Sequence, residues 1–229
     1  TERPEGDDVS SPLEFLTDGA NWGGPEGIAS RLGTHLWVSV TALAAAGVLA
    51  IPLGLVLGHL RRGRVVAVSI ANLARAVPSF AVLAFVVGAG GGIGFVPTWT
   101  AMVALAVPPL FISALVGVAE IDDAVIDSAR GMGMTAGQIL RSAEIPLATP
   151  LLMSGIRVAF SQVIATATLG AFVGYNTLGR FITVGRANGD DGMLYGGVVL
   201  VVGGVRAPTQ YFAAGDDQFP QPPPGPREP

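Results

Sequence analysis

Residues 35–60 read H-L-W-V-S-V-T-A-L-A-A-A-G-V-L-A-I-P-L-G-L-V-L-G-H-L, and they contain no Asp, Glu or Arg. A helix needs about 20 mostly apolar residues to cross the hydrocarbon core of a bilayer. This run is long enough, and it predicts a membrane-spanning helix from His35 to Leu60. It stops at a basic cluster, Arg61, Arg62 and Arg64. A second apolar run starts at Val65, holds one charge, Arg75, and passes Pro78 before fading at Gly88–Gly94, which reads as a short flexible turn. A third covers Thr98–Ala119 and contains Pro108-Pro109. Proline is tolerated in a spanning helix when neighbouring helices satisfy the backbone groups it frees. A fourth covers Leu151–Gly174, with Arg157 near its start, placed to snorkel to the headgroups. Met193–Val205 is apolar but runs only about 13 residues, below the spanning minimum of about 17.

The composition agrees. Of 229 residues, 50% are hydrophobic and 13% charged, and the mean hydropathy is +0.57. A soluble domain carries about a quarter charged residues. These values exclude a disordered chain, a disulfide scaffold and an ordinary soluble enzyme. With no cysteine, thiol catalysis and cysteine metal sites are excluded too. His35 and His59 flank one apolar stretch and leave little for a metal cluster. All 13 basic residues are arginine and none builds the clustered basic face that nucleic acid requires. The expected fold is all-α, a polytopic membrane helix bundle of about five transmembrane helices, the last one short or incomplete.

Three units follow. Residues 1–34 are acidic and polar, without the basic start and apolar core of a signal peptide, and form an extracytoplasmic segment. Within it Leu13, Phe15, Leu16, Trp22 and Ile28 suit either an interfacial segment or a floppy tail. Residues 35–205 form the transmembrane domain, and 206–229 a Pro-rich polar tail, extended and solvated. Arginine asymmetry orients the chain. Arg61, Arg62 and Arg64 lie between the first two spans, and Arg130 and Arg141 between the third and fourth. Those loops are then cytoplasmic and the N-terminus is outside, against a smaller outer count of Arg180 and Arg186.

The loop at about 120–150 carries the chemistry. Glu120–Pro146 reads E-I-D-D-A-V-I-D-S-A-R-G-M-G-M-T-A-G-Q-I-L-R-S-A-E-I-P. It is charged, helix-like and not apolar enough to span. Asp122 can cap a first short helix. Ile121, Val125 and Ala129 then share one face at four-residue spacing. Gly131 and Gly133 allow a sharp turn, Thr135 and Gln138 form a capping box for a second helix, and Pro146 ends it. An amphipathic helix pair in a cytoplasmic loop needs a partner for its apolar face.

This stretch resembles the EAA loop of ABC-importer permeases, whose pattern is Glu-Ala-Ala, three residues, Gly, nine residues, Ile, one residue, Leu-Pro. Here stand Asp127-Ser128-Ala129, then Gly133, then Ala143, then Ile145-Pro146. Ala129 to Thr135, Glu144 to Arg157, Ala71 to Ser79 and Thr166 to Gly174 look like permeases of the glycine betaine/carnitine/choline osmoprotectant importers. The resemblance covers roughly Leu13 to Val202. It implies a pair of permease subunits in the plasma membrane of a prokaryote, cytoplasmic ABC ATPase subunits that bind ATP and Mg, and an extracytoplasmic substrate-binding protein. It assigns Asp127, Ser128, Ala129, Gly131, Gly133, Ala143, Ile145 and Pro146 to the ATPase-coupling loop. No cofactor is expected in this chain: the phosphate loop G-x-x-x-x-G-K-[ST] is missing and the chain has no lysine. The family's last span should stay apolar beyond Gly203, whereas this chain turns to V-R-A-P-T-Q-Y-F-A-A-G-D-D-Q-F-P, so an altered end is expected.

Other residues have weaker claims. Arg75, Gln162 and Thr166 are polar groups inside spans and candidates for the pathway, although helix–helix contacts are the commoner use. Asp122 and Asp123 suit a cap and a solvated charge better than a metal site. Gly54 and Gly58 form a G-x-x-x-G pattern, a candidate packing face. Three Tyr and three Trp, mostly outside the spans, give no aromatic cage for a quaternary amine. The competing class is an ion-coupled secondary transporter or channel. Such carriers hold ionisable relays in their spans, and no carboxylate lies between His35 and Ala119 or in the fourth span.

Overall fold

The structure, a computed structural model, describes residues 11–61, 65, 69 and 78–216. Among these every regular element is helical. In chain order they are α1 (Pro12–Thr17), α2 (Ile28–His59), α3 (Ser79–Val86), α4 (Phe95–Ala119), α5 (Asp123–Gly131), α6 (Ala136–Ile139), α7 (Ile145–Ala167), α8 (Gly179–Asn188) and α9 (Asp191–Asp216). Three helical stretches are long and apolar enough to cross a membrane: Ile28–His59, Phe95–Ala119 and Ala136–Val173.

Small residues bring these three together. Hydrophobic burial gives little net drive between helices in lipid, so close backbone approach through Gly and Ala takes over. Val38, Ala42, Ala46 and Ala50 of α2, at four-residue spacing, meet Met102, Ala106 and Leu110 of α4 and Ala159, Val163 and Ala167 of α7. A Cβ at Gly54 would come within 2.7 Å of Ala114, and one at Gly58 within 2.7 Å of the Leu115 carbonyl. The G-x-x-x-G pattern is therefore the α2–α4 packing face. A Cβ at Gly155 of α7 would overlap the Ser113 hydroxyl of α4. Large apolar residues on the outer side of α2, such as Trp37, Val48 and Leu49, stay exposed, as a lipid-facing surface requires.

The contacts fix the directions. Gly54 and Gly58 of α2 meet 111–118 of α4, so the two run parallel. Gly117 lies against Ala148, and Gly170 against Thr98, so α7 runs opposite to α4. One end of the bundle thus gathers α1, Phe95 and Tyr175, and the other gathers His59 and the 120–144 loop.

In five places the structure refines the sequence reading, departs from it or decides between its alternatives. The first span starts at Ile28 rather than His35, because Arg31 is tucked over the Phe181 ring at 4.3 Å and bonded to Glu26, so its charge does not stop the helix. The Gly88–Gly94 turn begins inside a π-helical stretch, Val87–Gly91, which kinks at Gly90 (φ 88°), and Gly92 and Gly94 also take positive φ. Of the two readings of the N-terminal segment, its described residues take the packed one: Phe15 packs edge-to-face on Phe181 and against Gly196, and the Trp22 indole donates to the Leu16 carbonyl. Pro146 does not end a helix. The π-helical turn Leu140–Glu144 shifts the Ile145 N–H onto the Leu140 carbonyl, which makes room for the proline ring and joins α6 to α7. Finally α9 runs to Asp216, so 206–216 is helical where an extended tail is expected, and its ladder continues past Pro208 with one N–H fewer. Arg75 and residues 217–229 lie outside the described residues.

Candidate functional site

The 120–144 loop is built by local chemistry. The Asp122 carboxylate accepts from the Ala124 N–H at 2.9 Å and caps α5. At the other end Gly133 takes φ 80°, its N–H donates to the Arg130 carbonyl, and the Met134 N–H donates to the Ala129 carbonyl. That pair of bonds is a Schellman motif, and it needs the left-handed residue that glycine supplies. Gly131, by contrast, is helical and faces open space. The Thr135 N–H donates to Gln138 Oε1 at 2.8 Å, the capping box expected from the sequence.

The apolar side chains divide between two faces. Ile126, Ala129 and Ile139 are buried together, with Ile121 and Met134 against them. Val125 does not join this cluster; it is 41% exposed, and Ile126, three residues from Ala129, takes the inward place, while Ile121 lies before the Asp122 cap and outside the helical spacing. Val125 and Met132 turn outward instead. They border a groove of about 470 Å³ lined also by Ala124, Ser128, Ala129, Met134, Ser142 and Ala143. Ser128, Ala129 and Ala143 therefore meet at one surface. Asp127 stands exposed beside it, paired with Arg130 at 3.1 Å. Ile145 and Pro146 sit one turn on, at the start of α7.

Two contacts that sequence reading missed tie this loop to α2. The His59 Nδ1–H donates to Glu144 Oε2 at 2.6 Å, and Glu144 is only 2% exposed. The Arg61 guanidinium donates to the Ile121 carbonyl at 2.7 Å and to the Asp123 carboxylate. The only sequence signal was a histidine at the end of an apolar run and a glutamate just before Ile145-Pro146. The other candidates are dispersed. Thr166 is buried and Gln162 half-buried on α7, within the bundle. His35 donates through Nε2 to the Ile164 carbonyl at 3.0 Å, far along α2 from His59.

Comparison with known proteins fits this arrangement. A family profile described as "Binding-protein-dependent transport system inner membrane component" matches residues 50–205. The chain is 33% identical over 171 residues to the glycine betaine/carnitine/choline transport system permease protein OpuCB of Bacillus subtilis, covering 75% of this chain and 78% of that one. It is 32% identical over 185 residues to the carnitine transport permease protein OpuCB of Listeria monocytogenes, covering 81% and 84%. To the osmoprotectant import permease protein OsmW of Salmonella typhimurium it is 27% identical over 193 residues, covering 82% and 87%. An inward-facing structure of the MetNI methionine ABC transporter shares the fold at a TM-score of 0.73 and 20% identity, over 85% of this chain and 96% of that one. With a bundle of apolar helices, a loop that presents a groove at one end, and a family match across most of its length, this chain is a multi-pass plasma-membrane protein that belongs to the binding-protein-dependent transport system inner membrane components.

Proposed function

We propose that the chain is a permease subunit of an ABC importer for a compatible solute such as glycine betaine, carnitine, choline or proline. The observation that carries the reading is the coupling loop. Its groove offers exposed Val125 and Met132 to a partner, and its second helix runs without a break into a membrane span, Ala136–Val173. A partner seated in that groove moves the span directly. The substrate class is supported by the names of the relatives, which are glycine betaine, carnitine, choline and osmoprotectant permeases.

In this reading two permease subunits, copies or paralogues, form the pathway. Cytoplasmic ATPase subunits bind ATP and Mg and seat on the groove, while an extracytoplasmic binding protein delivers the solute. Closure of the ATPases rocks the spans between inward-open and outward-open states, a rigid-body two-state change. Hydrolysis falls to the partners, since the phosphate-loop lysine has no counterpart here.

The test is uptake of labelled glycine betaine, carnitine, choline and proline by cells that lack their own carriers and express this chain with its ATPase and binding protein. Uptake is expected to stop on ATP depletion and to survive collapse of the ion gradients. Uptake that follows the gradient instead would overturn the reading in favour of a secondary transporter.

A further inference from the structure

The 120–144 loop is gripped from two sides, and only one side is the motor. Ser128, Val125 and Met132 face outward into the groove. On the opposite side the cytoplasmic end of α2 reaches across. His59 holds Glu144, which lies on the π-helical turn that joins α6 to α7. Arg61 holds Ile121 and Asp123, at the start of α5. One side chain thus bonds to each half of the loop, before and after the Gly133 turn.

The two contacts differ in weight. Arg61 and Asp123 are partly exposed, at 33% and 80% of the side chain, and a surface ion pair holds weakly. Glu144 is buried, and removing the side chain bonded to a buried carboxylate leaves a charge without compensation. The pair lines a cavity of about 140 Å³ together with Ile126, Met134, Ile139, Arg61 and Arg130. Arg61 itself takes φ 48°, a left-handed backbone that a residue with a Cβ rarely adopts. Such strain persists where the surroundings hold it in place.

We propose that His59 and Glu144, seconded by Arg61 and Asp123, clasp α2 to the coupling loop, so that the motor's stroke moves the first span together with the fourth. Lost contact at this point leaves α2 held higher in the bundle, by the Gly54–Gly58 face, the small-residue core and the His35–Ile164 bond, with no tie at the loop end among the described contacts. The loop then moves α7 while α2 lags. His59 is a positioning residue: it touches no solute and acts through the helix that carries it. The inference rests on the importer reading above and adds to it a mechanical route.

The test uses the whole complex in proteoliposomes, and reads solute moved per ATP hydrolysed. In His59→Ala and Glu144→Ala this ratio is expected to fall about fivefold or more, the lower range of allosteric coupling, while the ATPase rate and the amount of assembled complex hold. His59→Gln, which keeps a side-chain donor, is expected to retain most of the ratio. A simple structural role would instead reduce the amount of complex and leave the ratio of the remainder unchanged, which overturns the proposal. A second measurement needs no clasp variant. The chain has no cysteine, so with cysteine-free partner subunits spin labels at Leu60→Cys and Gly137→Cys, both exposed, are confined to this subunit. Their separation is expected to stay constant between the nucleotide-free and ATP-trapped complexes. A separation that changes on trapping sinks the clasp, even where wild-type uptake is normal. Absence of ATP-driven uptake by the wild type sinks the importer reading instead, and the label separation still reports on the clasp.

Discussion

Gly133 and Gly131 stand two residues apart, and the structure gives them different work. Gly133 occupies the left-handed position of the Schellman turn. An L-residue there costs about 1–2 kcal/mol, and the open space around it offers no other objection. Gly131 is already helical and also faces open space. Gly133→Ala is therefore expected to loosen the loop and weaken co-purification of the ATPase subunits, without lowering the amount of permease in the membrane. Gly131→Ala is expected to leave co-purification intact, since alanine gains about 0.5–1 kcal/mol over glycine inside a helix. Equal losses in both variants would mean that the turn geometry is not what the motor reads. The turn, the Asp122 cap and the Thr135–Gln138 box were legible in the sequence because each is a bond within a few residues. The His59–Glu144 contact was not. Its partners lie 85 residues apart, and no local pattern marks a pair at that distance.

Among the helices, spacing in the sequence told more about packing than about where each helix ends. Val38, Ala42, Ala46 and Ala50 repeat every four residues and do form the inner face of α2. Gly54 and Gly58 continue that face. Gly58→Leu is expected to push α2 from α4, because a Cβ there already meets the Leu115 carbonyl and the Val118 side chain. Overpacking of this kind costs about 1–3 kcal/mol and is read as a lower Tm of the detergent-solubilised complex. Gly47→Ala serves as the control: its Cβ would meet only Ile51 Cδ1, at 3.7 Å, and Tm is expected to hold or rise. The ends were harder to read because two features override local signals. A buried, partnered Arg31 lets α2 begin earlier than its first charge suggests. The π-helical turn absorbs Pro146, so a residue that normally breaks a helix instead sits within a continuous rod. Val125 shows the same limit at the coupling loop. The four-residue rule counted it inward with Ile121, but Ile121 precedes the Asp122 cap and so lies outside the helix whose spacing the rule assumes.

Across the molecule, the helix directions sort the charged loops by end. α2 and α4 run parallel and α7 antiparallel, so Arg61, Arg130 and Arg141 share the end that carries the coupling loop, and Arg62 and Arg64 follow Arg61 in the chain. Arg180 and Arg186 of α8 lie at the other end, with α1. Short loops rich in arginine stay in the cytoplasm, and the count of five against two in these loops is the ground for expecting the coupling groove inside the cell. The same geometry sets α1 at the end opposite the groove, because Phe15 packs on Phe181 of α8 and Asn176 donates to the Pro25 carbonyl. A chain without cysteine makes this testable with single substitutions. Ser128→Cys, in the groove, is expected to react with a membrane-impermeant maleimide only in inverted vesicles or opened cells. Gly19→Cys, exposed just after α1, is expected to react in intact cells. Labels that land the other way round would put the groove beyond reach of any cytoplasmic ATPase, and the importer mechanism would fail with it.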